Sequence, residues 1–220
     1  VIEDGAFGNC RALEAVDIEH VQSIGKWAFE NCYALREINL GDKLTVINQS
    51  AFMNCKALSS INIPANVETL GRWLFEGCDN LETITLHEGL RTLSQSTFYG
   101  CGITSIRIPS TVTEIPNWAF QDCKNLESIT LHDGIISIGE GAFNRCGMLK
   151  QFKIPTGVEV LPNNMFDECI NLQFVDFHDG ITDIQERAFA YCRKLEGNIL
   201  SGSLRLPSGL QTLGNEAFIH

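Results

Sequence analysis

Residues 103–123 read Ile-Thr-Ser-Ile-Arg-Ile-Pro-Ser-Thr-Val-Thr-Glu-Ile-Pro-Asn-Trp-Ala-Phe-Gln-Asp-Cys, and the order of apolar positions in this stretch decides the fold. Ile103, Ile106, Ile108, Val112, Ile115, Ala119, Phe120 and Cys123 recur one unit later as Leu126, Ile129, Leu131, Ile135, Ile138, Ala142, Phe143 and Cys146. Working outward, Phe7, Phe29, Phe52, Phe75, Phe98, Phe120, Phe143, Phe166 and Phe189 stand 22 or 23 residues apart. All 9 cysteines follow these phenylalanines by three residues, from Cys10 to Cys192. A fixed period of this length marks a stack of supersecondary units, none of which can close a core alone.

Within a unit, Leu-x-x-Ile-x-Ile/Leu ends in apolar–polar alternation, the period of a half-buried strand. Val-x-x-Ile, as at Val67 and Leu70, predicts a second short extended piece. Ala-Phe-x-x-Cys predicts one tight turn of helix, because residues three apart share a face. Stacked units place equivalent residues in parallel ladders at ~4.8 Å per rung, so ten rungs span about 45–50 Å. The expected domain is one solenoid over 1–220, of about ten repeats of 22–23 residues, cut within a repeat at both ends. The turn after Cys101 is one residue short at Gly102, and a six-residue insertion near 197–202 is expected to form a surface loop.

A longer period of about 46 residues overlies the first. Ile63-Pro64, Ile108-Pro109 and Ile154-Pro155 alternate with Leu86-His87-Glu88-Gly89, Leu131-His132-Asp133-Gly134 and Phe177-His178-Asp179-Gly180. Trp27, Trp73 and Trp118 recur at the same interval, two residues before the Phe, and the rungs between carry Ser50, Ser96 and Gly141 there. Each indole is therefore expected to lie over the small residue of an adjacent rung. An exposed aromatic row for a protein or carbohydrate is the other reading.

The string Leu-x-x-Ile-x-Ile-Pro-x-x-Val-x-x-Ile-x-x-x-Ala-Phe-x-x-Cys resembles the BspA-like class of leucine-rich repeats (LRR family 5 type). Residues 103–123 fit it throughout, and residues 58–78 fit with Leu74 in place of Ala. The resemblance implies a right-handed coil with a parallel β-sheet on the concave face, short strands and helical turns elsewhere. It also implies adhesion or protein binding at a cell surface, whereas unpaired cysteines point to a reducing interior.

The net charge of -11, with 16 Lys and Arg scattered over 220 residues, disfavours nucleic acid and anionic lipid as partners. No apolar run is long enough to insert in a membrane. The N-terminus shows no signal-peptide pattern, and the chain reads as a piece of a longer protein. Thiols a whole rung apart cannot converge on one metal ion, so buried, free cysteines are expected. His87, His132 and His178 lie two rungs apart, roughly 10 Å. Two readings of them are a turn in which Asp133 or Asp179 bonds its own backbone before Gly, and a pH-responsive edge. No nucleophile-elbow, phosphate-loop or zinc-protease pattern occurs, and no cofactor is expected. Asn48-Gln49-Ser50 is a lone glycosylation sequon.

The exposed positions of the concave strands are mostly hydroxyl-rich. Arg107, Lys150, Lys153, Phe174 and Asp176 depart from that and form the candidate partner-binding patch. The expected function is a non-enzymatic recognition scaffold with a protein as partner and a glycan as second choice. A structural solenoid within a larger assembly is the alternative.

Overall fold

The structure is a computed structural model that describes residues 1–197 and 204–219. It is a parallel β-solenoid. Its first ladder is built from three-residue strands: Ala15–Asp17 pairs with Glu37–Asn39, Ser60–Asn62 with Thr83–Thr85, Ser105–Arg107 with Ser128–Thr130, and Gln151–Lys153 with Phe174–Asp176. Ile61, Ile84, Ile106, Phe152 and Val175 at strand centres are buried, and the flanking residues face outward. That alternation carries the polar x positions to one concave sheet face.

The hydrogen bonds show why the true unit is a pair of rungs. Ile63, Ile108 and Ile154 donate their N–H groups to Thr85, Thr130 and Asp176 in the next rung at 3.0, 3.0 and 3.1 Å. The following prolines have no N–H to offer. Instead their carbonyls close the turn by accepting from Val67, Val112 and Val158 at 3.0, 3.1 and 3.0 Å. Strand pairing then restarts two rungs later. A second ladder runs through two-residue strands such as Ser23–Ile24 with Val46–Ile47 and Glu114–Ile115 with Ser137–Ile138.

The expected helical turn at Ala-Phe-x-x-Cys is not there, and no helix occurs among the described residues. Trp27 and Asn31 adopt left-handed φ values of 55° and 58°. This aims alternate peptide groups along the stack. Phe29 and Asn31 donate to Ala51 and Met53 in the next rung, both at 2.8 Å, while Glu30 and Cys32 close tight turns onto Trp27 and Phe29 at 3.1 and 3.2 Å. The neighbouring rung thus takes the partners that a helix would have found within itself. Spacing of three suits either structure, so the sequence pattern does not separate them.

The column phenylalanines stack through the centre with centroids 5.0 to 6.0 Å apart, and Phe218 continues the column above Phe189. Burying each ring contributes about 1.5–3 kcal/mol, and each ring contact adds about 0.5–1.5 kcal/mol. Of the cysteines, eight are buried and Cys10 is exposed. The expected insertion lies outside the described residues apart from Gly197, which bridges to Phe174.

Candidate binding surface

The concave sheet gathers Lys153, Phe174 and Asp176 on one strand pair, with Lys150 immediately before it. Gln151 faces Phe174 and Lys153 faces Asp176 in register. Lys150 is exposed just before its strand, and its carbonyl accepts the N–H groups of Gln173 and Phe174 at 2.8 and 3.2 Å. Phe174 is half-buried. Arg107 stands apart, since Thr130 occupies the neighbouring strand between it and Lys153.

Two of the patch cations carry acids that the sequence patch left out. Arg107 Nη1 lies 3.1 Å from Glu88 Oε1, and Lys153 Nζ lies 3.5 Å from Asp133 Oδ1. Both acids come from the His-acid-Gly turns, so the 46-residue period holds the signal: Glu88 and Asp133 are each aligned with the strand cation one rung on. Glu88 also accepts from the Ser110 hydroxyl and N–H at 2.6 and 2.8 Å. Those bonds, the hydroxyl's first, hold its carboxyl below the usual carboxylate range. Exposed pairs of this kind add little to stability, so a partner can exchange them at small cost.

The His-acid-Gly turns do not work as expected. The ring, and not the acid, bonds the turn's own backbone: Gly134 and Gly180 donate to Nδ1 of His132 and His178 at 3.1 and 3.2 Å. Nε2 of His132 lies 2.9 Å from the Val112 carbonyl, and that of His178 lies 3.1 Å from the carbonyls of Pro155 and Val158. The proton therefore sits on Nε2 and the ring ties two rungs together. Asp179 instead accepts from the Ser208 N–H at 3.0 Å. His87 differs, bonding Asn62 Oδ1 at 2.8 Å. There it borders a recess of about 360 Å³ lined also by Asn39, Asp42 and Asn66, which sequence reasoning missed.

Each buried thiol, from Cys32 to Cys192, donates to the carbonyl of the phenylalanine one rung back at 3.0 to 3.2 Å. Burial raises these thiols above their ordinary range, Cys32 to about 11 and Cys78, Cys123 and Cys192 to about 12. Neutral, engaged thiols are poor nucleophiles. Among the described residues no group of three or more His, Cys, Asp or Glu is placed to hold a metal ion, and no helix is long and apolar enough to cross a membrane. In the sequon, Asn48 Nδ2 donates to the Ile24 carbonyl at 2.9 Å and Ser50 is buried, so the folded rung occupies the atoms a glycan would need.

Stacked parallel strands, a phenylalanine spine and a polar concave face define the leucine-rich repeat class. The chain belongs to the BspA type of leucine rich repeat region, whose family model matches residues 1–126 and 91–220. A leucine-rich repeat protein of T. pallidum is similar in structure, with 27% identity, a TM-score of 0.64, and 74% of this chain and 77% of that one covered. The pneumococcal vaccine antigen PcpA shares the fold at 17% identity and a TM-score of 0.62, covering 91% of this chain and 58% of that one. So does a leucine rich cell surface protein of Faecalibacterium prausnitzii, at 24% identity and a TM-score of 0.51, covering 94% and 80%. No curated protein matches the chain.

Proposed function

We propose that the chain is a non-enzymatic recognition scaffold whose concave sheet binds a protein, with the contact centred on Lys150, Lys153 and Phe174. The observation that carries this reading is a half-buried aromatic on the same strand pair as exposed Lys153, with exposed Lys150 immediately before it. An aromatic anchor ringed by polar groups is the usual composition of an energetic centre in protein interfaces. The lysines supply electrostatic steering toward an acidic surface, which the rest of this acidic chain would repel. A non-enzymatic role is supported by the fate of the reactive side chains. The buried thiols donate to backbone carbonyls, and His132 and His178 are held in turn hydrogen bonds.

The test is capture of binding proteins from a cell-surface extract by the chain and by Lys150→Glu/Lys153→Glu, followed by affinity measurement with the captured partner. Reversal is expected to weaken binding at least tenfold and to abolish its salt dependence. Equal capture by both proteins sinks the patch.

A further inference from the structure

The three tryptophans take no part in the concave face, and the core does not call for them. Each sits on the turn between the second ladder and the phenylalanine column, with φ of 55°, 51° and 54° at Trp27, Trp73 and Trp118. Bulky side chains avoid that backbone region. The same column carries Ser50, Ser96, Gly141 and Asn164 in other rungs, and Arg187 and Glu216 toward the C-terminus, all with φ between 53° and 59°. The rungs between the tryptophans carry Ser50 and Ser96 at this position, and tryptophan returns at every second rung from Trp27 to Trp118. Trp27 is 41% exposed, and Trp73 and Trp118 are half-buried. A Cβ on Gly141 would strike the five-membered ring of Trp118, so that indole is braced against the next rung. Ser50 and Ser96 are buried at 2% and 3% exposure.

Packing alone leaves two facts without a purpose: the exposure of the rings and the groups beside them. Immediately before the column runs a shallow depression of about 400 Å³ that spans the rungs of Trp73 and Trp118. Arg72, Ser94, Gln95, Glu114 and Asn117 line it, a mixture of donors and acceptors. Two rungs separate successive tryptophans by about 10 Å. An extended β-1,4-linked sugar chain turns the same ring face to one side at every second residue, and its disaccharide repeat closely matches this separation.

We propose that Trp27, Trp73 and Trp118 form a stacking platform for an extended β-1,4-linked polysaccharide, whose hydroxyls the adjoining depression hydrogen-bonds. A proline-rich peptide also repeats near this interval, about 9 Å per turn. It docks in grooves between aromatic side chains, however, whereas here the rings form a single file and the depression, lined by the residues just before Trp73 and Trp118, is mainly polar. The surface is separate from the concave patch, so either can stand without the other.

The experiment is depletion of the protein by microcrystalline cellulose and by chitin, with tryptophan fluorescence followed during titration with the soluble oligosaccharides. The comparison is Trp27→Ser/Trp73→Ser/Trp118→Ser, which installs the residue that neighbouring rungs already carry. The wild-type chain is expected to be retained by at least one of the two, and the triple variant to bind at least tenfold more weakly, since stacking energy is lost at three rings. A thermal melt checks the fold. If the triple variant is unfolded, Trp27→Ser at the most exposed ring carries the comparison, with a several-fold loss expected. Retention of Lys150→Glu/Lys153→Glu should equal wild type. Absence of wild-type retention on both glycans overturns the proposal. So does equal retention of the folded serine variant, or tryptophan-dependent binding of oligoproline in place of sugar.

Discussion

The carbonyl oxygen of a column phenylalanine accounts for the cysteine three residues after it. That oxygen accepts the N–H of its own rung's cysteine and the S–H of the next: Phe75 takes Cys78 N–H at 3.0 Å and Cys101 S–H at 3.2 Å. Alanine would fill part of the space but donate nothing, and serine would bring a more strongly hydrated hydroxyl into an apolar core. The register of the thiols is plain in the sequence. Their role as donors is not, because the acceptor belongs to another rung. The same burial sets a pH dependence. In the folded chain Cys78, Cys123 and Cys192 titrate near 12, above the ordinary value of 9.0 at which unfolded thiols ionise. The native state then holds more protons between those limits, so their stabilisation is intact below pH 9.0 and declines as pH climbs toward 12. Each such thiol lowers stability by about 1.4 kcal/mol per pH unit in that window. Urea midpoints at about pH 8 and about pH 10 should fall for wild type, and the fall should be shallower for Cys78→Ala. An identical slope in the two proteins would refute the assignment.

At the scale of the element, strands and turns differ in how much of them sequence reveals. The alternation around Ile106 or Ile129 reports the side chains of its own strand, so those ladders were readable. The segment from Trp27 to Cys32 is decided by inter-rung bonds that leave no trace in residue type, and a spacing of three suggested a helix that is absent. The His-acid-Gly turn is a mixed case. Its place is legible in the sequence, but residue type does not tell whether ring or acid bonds the turn's own backbone, and in the fold the ring does. It follows that His178→Phe should leave the Val158 carbonyl and the Gly180 N–H short of a partner, while the Pro155 carbonyl keeps only the Val158 N–H. The expected cost is about 1–3 kcal/mol in a denaturant melt. Asp179→Asn, which keeps an oxygen for the Ser208 N–H, should cost less than His178→Phe in the same melt. If the acid mattered more than the ring, the order of the two variants would reverse.

Across the whole molecule, stability in such a stack is close to a sum of rung terms and nearest-neighbour interfaces. What distinguishes this chain is that its interfaces alternate. Strand pairs restart every second rung, and tryptophan rungs meet small-residue rungs, as Trp118 meets Gly141. A deletion of residues 74–118 removes one whole double unit and joins Trp73 to Ala119, so the tryptophan still meets the Gly141 rung. A deletion of residues 74–96 removes a single rung and joins Trp73 to Thr97, which sets Trp73 directly against the Trp118 rung. The smaller deletion also brings two like strands together out of the Ile-Pro and His-Gly alternation. The larger deletion should therefore unfold in one cooperative step with a midpoint near wild type and a reduced m-value, since less surface is exposed. The smaller should melt at distinctly lower denaturant although it keeps more of the chain. If rungs were interchangeable, the ranking would follow length instead, and the double unit would be a habit of the sequence with no energetic meaning.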